Sequence, residues 1–301
     1  MKYFHGNSKV NQYFEGWYFK HQDEKTTISF IPGIQYDKNC SATAFIQVIT
    51  QNETYYISYP ISNFYADTKS LFIRIGKNIF SEQGIAIDID ETDVNGKALK
   101  VRGNFFYQQL MPLPYSIMGP FRLCNVPCKH EVISMRHRVM GELMINDQRI
   151  CMKHGIGYIE SDYGSSFPND YFWTQYNCRK STNPQIFLSV ATIPYGWKEW
   201  IGTIAVINYN HRQYRFATYL GAKVLIIRKD LAIIQQGKYI LLVHMTPKKA
   251  QDLKAPVQGT MSRIIREEIE CTIRYEMYEG RNKLFDFTTN QASMEYQTNG
   301  V

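Results

Sequence analysis

The sequence predicts an all-β protein, with antiparallel strands forming two barrel or sandwich domains and little helix. Three observations carry that expectation. Rings make up 14% of the 301 residues, chiefly 22 Tyr and 17 Phe, and aromatic side chains favour strands. Short β-rich runs recur at close spacing between turn residues. A sustained apolar period of 3.6 residues is missing.

The elements follow in chain order. ISFIPGIQY, TAFIQVIT, TYYISYPI and SLFIRI fill the first quarter as strands. LMPLPYSIMGPFRLCNVP, with four prolines, interrupts them as a long connection. Later, KVLIIR and KYILLVHM read as strands. IGTIAVINY-NHR-QYRFATYL and CTIRYEMY-EGRN-KLFDFTT read as hairpins. GTMSRIIREEIE is the one stretch expected to hold a short helix. Two β domains of similar size result, spanning 1–150 and 151–301, with the division near or after the proline-rich connection.

Bulk properties narrow the function. The net charge of +7 would suit nucleic acid, anionic lipid or an acidic ligand, but charge merely dispersed over the surface is the expectation here. No Lys/Arg run reaches five residues, so no nucleic-acid tail is expected. MKYFHGNSKVNQYFEGWYF lacks the pattern of a secretory signal. No apolar run is long enough for a membrane-spanning helix, so membrane contact is expected to be transient at most. A cytoplasmic location is expected, with the six cysteines as free thiols. No P-loop or GxGxxG motif supports nucleotide binding.

The most informative segment is EVISMRHRVMGELMINDQRICMKHGIGYIESD. Ile133, Met135, His137, Val139, Leu143 and Ile145 share one parity. Ile150, Met152, Ile156, Tyr158, Glu160 and Asp162 share the other. A hairpin turning at Asp147–Gln148, or a loop from Asn146 to Arg149, makes the two apolar faces coincide. That register sets Met135 opposite Glu160 and His137 opposite Tyr158. His137 and Glu160 become diagonal neighbours, roughly 7–8 Å apart at the backbone. A carboxyl group on an apolar face has its pKa raised by desolvation unless a cation holds it ionised. The competing expectation is structural: Glu160 and Asp162 accept hydrogen bonds from backbone or Arg, and His137 is a satisfied core histidine. A second cluster, YFEGWYFK from Tyr13, aligns Glu15 with Tyr13, Trp17 and Phe19 on one strand face. Cys124, Cys128 and His130 are metal-type residues, but no second cysteine pair follows to close a zinc site. No metal is expected.

FEGWYFK at 14–20 and GYIESDYGSSFPNDYFWTQYN at 157–177 resemble the tocopherol cyclase family. That family's pattern is FEGWYF near the start, then Tyr-x-Glu-x-x-Trp-Gly-x-x-Phe-Pro, then Trp-x-Gln-x-Asn. Phe14 to Phe19, Tyr158, Glu160, Gly164, Phe167, Pro168, Trp173, Gln175 and Asn177 match it. His130 and Met135 stand where the plant enzymes have a His and a Met. Tyr163 replaces their Trp and Asp162 their Asn. The resemblance implies a pair of lipocalin-like antiparallel barrels. It also implies acid-catalysed cyclisation, hydration or isomerisation of a prenylated or other long apolar substrate in a barrel cavity.

Such chemistry changes no oxidation state, so no cofactor is expected. It needs a carboxylic acid kept protonated near neutrality, for which Glu160 and Asp162 are the candidates, with His137 as partner. Aromatic walls would stabilise a tertiary cation; Trp17, Tyr158, Tyr163 and Trp173 are the candidates. Glu15, Gln175, Asn177 and His130 complete the expected substrate-binding set. The other function these residues allow is a non-catalytic lipocalin-like carrier of a hydrophobic small molecule.

Overall fold

The computed structural model describes residues 2–6, 11–178, 183–195, 198–246 and 250–298. The chain divides into two compact units. The first comprises Met1–Pro114, Cys128–Phe167 and Leu253–Ile264; the second comprises Tyr115–Pro127, Pro168–Asp252 and Ile265–Val301. The expected division into 1–150 and 151–301 differs from this, because residue 150 lies inside a hairpin whose two arms stay together.

The first unit is one sheet of eleven strands. They are β1 (Tyr13–Gln22), β2 (Thr27–Tyr36), β3 (Ala42–Ile49), β4 (Thr54–Pro60), β5 (Phe64–Ala66), β6 (Phe72–Ile75), β7 (Asn78–Ser81), β8 (Gly84–Thr92), β9 (Ala98–Tyr107), β10 (Cys128–Ile145) and β11 (Gln148–Gly164). Their order in space is β4-β3-β2-β1-β11-β10-β9-β8-β7-β6-β5. Two meanders are thus joined where the first strand meets the last. A sheet this wide curls, and its core shows that it does. Ile46 and Val48 of β3 share one buried cluster with Ile73 and Ile75 of β6, near the opposite edge.

Burial shows which face is which. Trp17 and Phe19 of β1 and Ile159 of β11 belong to that core. Tyr18 lies between the first two in sequence and therefore points to the other face. β1 pairs antiparallel with β11, Trp17 opposite Ser161 and Tyr18 opposite Glu160.

The β10–β11 hairpin forms as expected, but in a different register. It turns at Asn146–Asp147, with Ile145 opposite Gln148 and Asn146 at φ 51°. Three irregularities then break the ladder, between Val132 and Ser134, Ser134 and His137, and Val139 and Gly141. The outcome pairs His137 with Gly157 and Glu160 with Val132. Strict alternation cannot survive bulges, since each extra residue turns the following side chains to the other face.

The second unit carries β12 (Tyr171–Tyr176), β13 (Gln185–Tyr195), β14 (Lys198–Tyr209), β15 (Arg212–Ala217), β16 (Lys223–Ile227), β17 (Leu231–Gln236), β18 (Tyr239–Thr246), β19 (Gln251–Val257), β20 (Thr260–Glu279) and β21 (Asn282–Gln297). The last two but one, β19 and β20, have residues in both units. The sheet order is β15-β14-β13-β12-β21-β20-β18-β17-β16, with β19 on β20. Again a first strand, β12, pairs with a last strand, β21. The expected short helix at 259–270 is instead part of β20, whose alternate burial buries Ile265 and Ile269. Tertiary pairing there overrides helix-favouring Arg and Glu. The β14–β15 hairpin turns through Asn210 and His211, both at positive φ, as a two-residue primed turn requires.

Two glycines let β9 and β10 approach closely. Gly103 and Gly141 have φ of 138° and 128°. A Cβ at Gly141 would sit 2.3 Å from the Asn104 carbonyl oxygen, and one at Gly103 would sit 2.3 Å from that of Glu142. Such φ values are nearly closed to other residues. Gly141→Ala should therefore cost roughly 1–3 kcal/mol of stability, read as a lower urea midpoint with unchanged m-value. An unshifted midpoint would show that the close approach does not depend on this glycine.

Candidate functional site

Glu160 and Asp162 lie two residues apart on β11, so both point to the face away from the core. Opposite Asp162 on β10 stands His130. Its Nδ1 is 2.7 Å from Asp162 Oδ1 and its Nε2 is 3.2 Å from Glu160 Oε2. One imidazole is thus held between two carboxylates. On the same strand face, the buried Tyr158 hydroxyl donates to Glu160 Oε2 at 2.5 Å. Cys128 Sγ lies 3.8 Å from Asp162 Oδ1.

Electrostatics follows from this geometry. Burial alone would lower the His130 pKa. The charges of Asp162 and Glu160 and their hydrogen bonds outweigh it, and raise the pKa well above the ordinary value. His130 is then an imidazolium near neutrality. Burial pushes the Cys128 thiol up, and the Asp162 charge adds to the effect. Burial and the neighbouring Glu160 likewise hold the Tyr158 phenol protonated.

His137, the expected partner of Glu160, is elsewhere. It lies on the core face with Val139, and the bulges that shift the register separate it from the carboxylates. Its Nδ1 is 3.1 Å from Ser134 Oγ, and its ring is 4.4 Å from that of Tyr107. Tyr107 Oη in turn meets His21 Nε2 at 2.5 Å. Gly157, opposite His137, leaves the space it fills: a Cβ there would lie 2.1 Å from His137 Nε2. Burial drops the His21 pKa to about 3, against a smaller opposing effect of a backbone hydrogen bond at Ile28. Burial lowers that of His137 well below the ordinary range, and His21 lowers it further.

Glu15 stands on the core face, opposite Tyr163. It is fully buried, and its carboxylate accepts the His5 amide and the Tyr13 hydroxyl, at 2.9 and 2.6 Å. His5 Nδ1 is 2.9 Å from it, and the His5 ring stacks on Tyr163 at 3.8 Å. Trp17 is buried too, and donates to the Tyr3 carbonyl. Glu15, Trp17 and Tyr163 therefore surround the N-terminal segment, on the face opposite to Glu160. Trp173, Gln175 and Asn177 are buried on and just after β12, in the second unit. His5, His21, Tyr107 and Ser134 join these clusters from positions that no periodic pattern singles out; their partners lie across loops and bulges.

His130, Glu160 and Asp162 also offer one metal-ligand atom each, all within 4.8 Å of one another. Three ligands of these types match the count of a catalytic zinc site. All six cysteines are free thiols, as expected. Among the described residues no helix is long and apolar enough to cross a membrane.

The tocopherol cyclase-like family model matches residues 116–297. No curated protein matches the chain by sequence. Solved structures share its fold over nearly the whole length. CghA with Sch210972 is 7% identical with a TM-score of 0.56, covering 96% of this chain and 89% of that one. Kievitone hydratase from Nectria haematococca is 9% identical with a TM-score of 0.53, covering 95% and 89%. An AttH candidate from Nitrosomonas europaea is 10% identical with a TM-score of 0.54, covering 94% and 92%.

The buried histidines set an acid limit on stability. Folded His21 takes up a proton only near pH 3, whereas the unfolded residue does so near pH 6.5. Unfolding binds protons between those values, so stability is full above about pH 6.5 and falls towards pH 3. Each such histidine contributes a slope of up to about 1.4 kcal/mol per pH unit. Urea unfolding at intervals across this window should show a shallower loss for His21→Gln than for the wild type. Parallel losses would contradict the assignment. His130 acts in the opposite sense: its contribution is complete below about pH 6.5 and is lost as pH rises through its raised folded value.

Proposed function

The chain belongs to the tocopherol cyclase-like family, and from that premise we propose that it is an acid catalyst acting on a carbon–carbon double bond. The substrate class is a prenylated or other long apolar molecule, and the outcome is ring closure, hydration or isomerisation. One observation carries this reading: a histidine clasped by two carboxylates, His130 between Glu160 and Asp162, with Tyr158 donating to Glu160. A purely structural carboxylate on a core strand is satisfied by backbone amides or Arg. Glu160 contacts His130 and Tyr158, groups that can themselves carry and pass a proton.

The chemistry closes on itself. The cluster delivers one proton to an alkene carbon and leaves a tertiary cation. An internal phenol oxygen, or water, attacks that cation, and the proton it sheds returns to the cluster. No electron is gained or lost. Asp162 holds His130 as the imidazolium, so Glu160 and His130 share the mobile proton at the buried end. Phe14 and Tyr18 are on the same face of β1 and offer ring surfaces for cation–π stabilisation. Kievitone hydratase is by name a hydratase, which agrees with a proton-first addition, although at its identity the likeness is one of fold.

The carrier reading differs in what Glu160 is for. Glu160→Gln keeps shape and removes the titrating proton. With a prenylated hydroquinone in deuterated water, the wild type should place one solvent deuterium on carbon. The variant should lose roughly 10²–10⁴-fold in rate at a nearly unchanged melting temperature. A variant that instead loses roughly 1–3 kcal/mol of stability, while no deuterium appears with either protein, would mark a structural carboxylate in a carrier. Dialysis against a chelator should leave turnover intact. Loss restored by zinc would replace the proton with a metal at His130, Glu160 and Asp162.

A further inference from the structure

The second sheet has a gap where β12 stops. β12 ends at Tyr176, whereas its neighbour β21 runs from Asn282 to Gln297. The two pair only from Tyr171 opposite Gln297 to Gln175 opposite Ser293. Over Asn282–Thr289, β21 keeps β20 on one side. On the other side, among the described residues, no strand is bonded to it. An edge of this kind leaves every second amide and carbonyl open to a new partner.

A cavity of about 690 Å³ lies along this edge, and Tyr176, Tyr209, Phe285, Phe287 and Thr289 line it. All five are on the core face of the sheet. Tyr176 and Phe285 belong to the core of the unit, and Tyr209 and Phe287 pack against it. Phe285, Phe287 and Thr289 alternate along β21, opposite Met277, Tyr275 and Ile273 of that core. The rings follow one another without a break. Their centroids are 5.2 Å apart from Tyr176 to Phe287, 5.8 Å from Phe287 to Phe285, and 5.2 Å from Phe285 to Tyr209. The Tyr176 hydroxyl is hydrogen-bonded to Thr289, which sets one polar pair among the rings. Asp286 and Thr288 point to the opposite face, across from Glu276 and Arg274, and border the cavity along the strand edge. Asp286 is the one charged residue among the described lining. Arg274 and Lys283 engage it on that other face, at 2.8 and 2.7 Å. The ring side of the cavity is therefore without charge.

We propose that this gap is a binding site for an uncharged, flat aromatic molecule that carries a hydroxyl group, a ligand of the phenol class. Its ring body packs on Tyr176, Phe287, Phe285 and Tyr209 by offset or edge-to-face contact. Its hydroxyl finds partners in the Tyr176–Thr289 pair and in the open groups of the β21 edge. A charged ligand would lose its hydration there and gain no counter-charge. The volume falls within the ordinary range of ligand pockets, roughly 300–1,000 Å³, and mostly apolar walls with a few polar groups are typical of them. The site lies wholly in the second unit, whereas His130, Glu160 and Asp162 belong to the first. It is thus a second site, and it stands whether or not the alkene-protonating reading does.

The test uses the full chain with 2-naphthol, 2-methoxynaphthalene and the anion 2-naphthoate, by calorimetry and by melting temperature. 2-Naphthol should bind saturably, raise the melting temperature and hold its affinity as salt is added. 2-Methoxynaphthalene keeps the rings but cannot donate, and should bind more weakly. 2-Naphthoate should bind roughly tenfold more weakly or not at all. Tyr209 is half-buried at the rim of the ring wall. Tyr209→Phe keeps its ring and should keep the affinity for 2-naphthol. Tyr209→Leu should lose roughly three- to tenfold, the worth of one aromatic contact. Thr289→Val, which keeps the shape and removes the hydroxyl, should narrow the difference between 2-naphthol and its methyl ether. Melting temperatures of the free variants show that each is folded. Failure of 2-naphthol to bind, equal or tighter binding of 2-naphthoate, or an undiminished affinity in Tyr209→Leu would each overturn the proposal.

Discussion

The ladder between β1 and β11 is the constraint from which the first unit follows. It pairs Phe14 with Gly164 and continues to Gln22 opposite Ile156, so two motifs far apart in the chain become neighbours. β11 then has β1 on one side and β10 on the other. Glu160 is flanked by Tyr18 and Val132, and Asp162 by Gly16 and His130. Remove that pairing and the two meanders have no common sheet, and the core has no centre. The second unit repeats the device with β12 and β21. The repeat is one of topology: each unit's first strand is aromatic-rich and lies in mid-sheet.

One sheet carries two opposite electrostatic solutions on its two faces. On the core side His21 and His137 are kept neutral by burial among rings, where a charge would find no anion. On the other side His130 is largely but less completely removed from water, and two carboxylates hold it charged. Desolvation is the largest single influence in all three. What differs is the company, and the company is set by register. A residue-level shift in the hairpin decides which histidine sits between carboxylates and which packs among rings.

The strands were legible wherever alternation or turn residues marked them, as in TAFIQVIT or the Asn210–His211 turn. Tyr158, Glu160 and Asp162 were legible as one strand face from alternation, and His130 only through the pattern it shares with a family, since periodicity alone gave His137 the partner role. The bulges between Val132 and Gly141 explain the error. A bulge leaves almost no trace in composition, but it reverses every face that follows. Residues 259–270 misled for a related reason: Arg and Glu favour helix by propensity, but here they belong to a strand whose partners lie elsewhere in the chain, with Glu267 and Glu268 buried. His5 was invisible because its contact with Glu15 crosses a turn of the chain and no repeat.

Joining first strand to last has a price in time. While the chain is being made, β1 pairs with β2, but its other edge must wait for β11, roughly 150 residues later, and at 5–20 residues per second that delay is on the order of 10 s. Through that interval an apolar strand, YFEGWYFKHQ, presents unpaired amides and carbonyls. Closing so long a loop late is slow and leaves the nascent chain open to mispairing. The architecture that sets Phe14 and Tyr18 beside the carboxylate-bearing strand thus cannot close until about half of the chain has been made, and makes the emerging polypeptide a natural client for chaperones that shield strand edges.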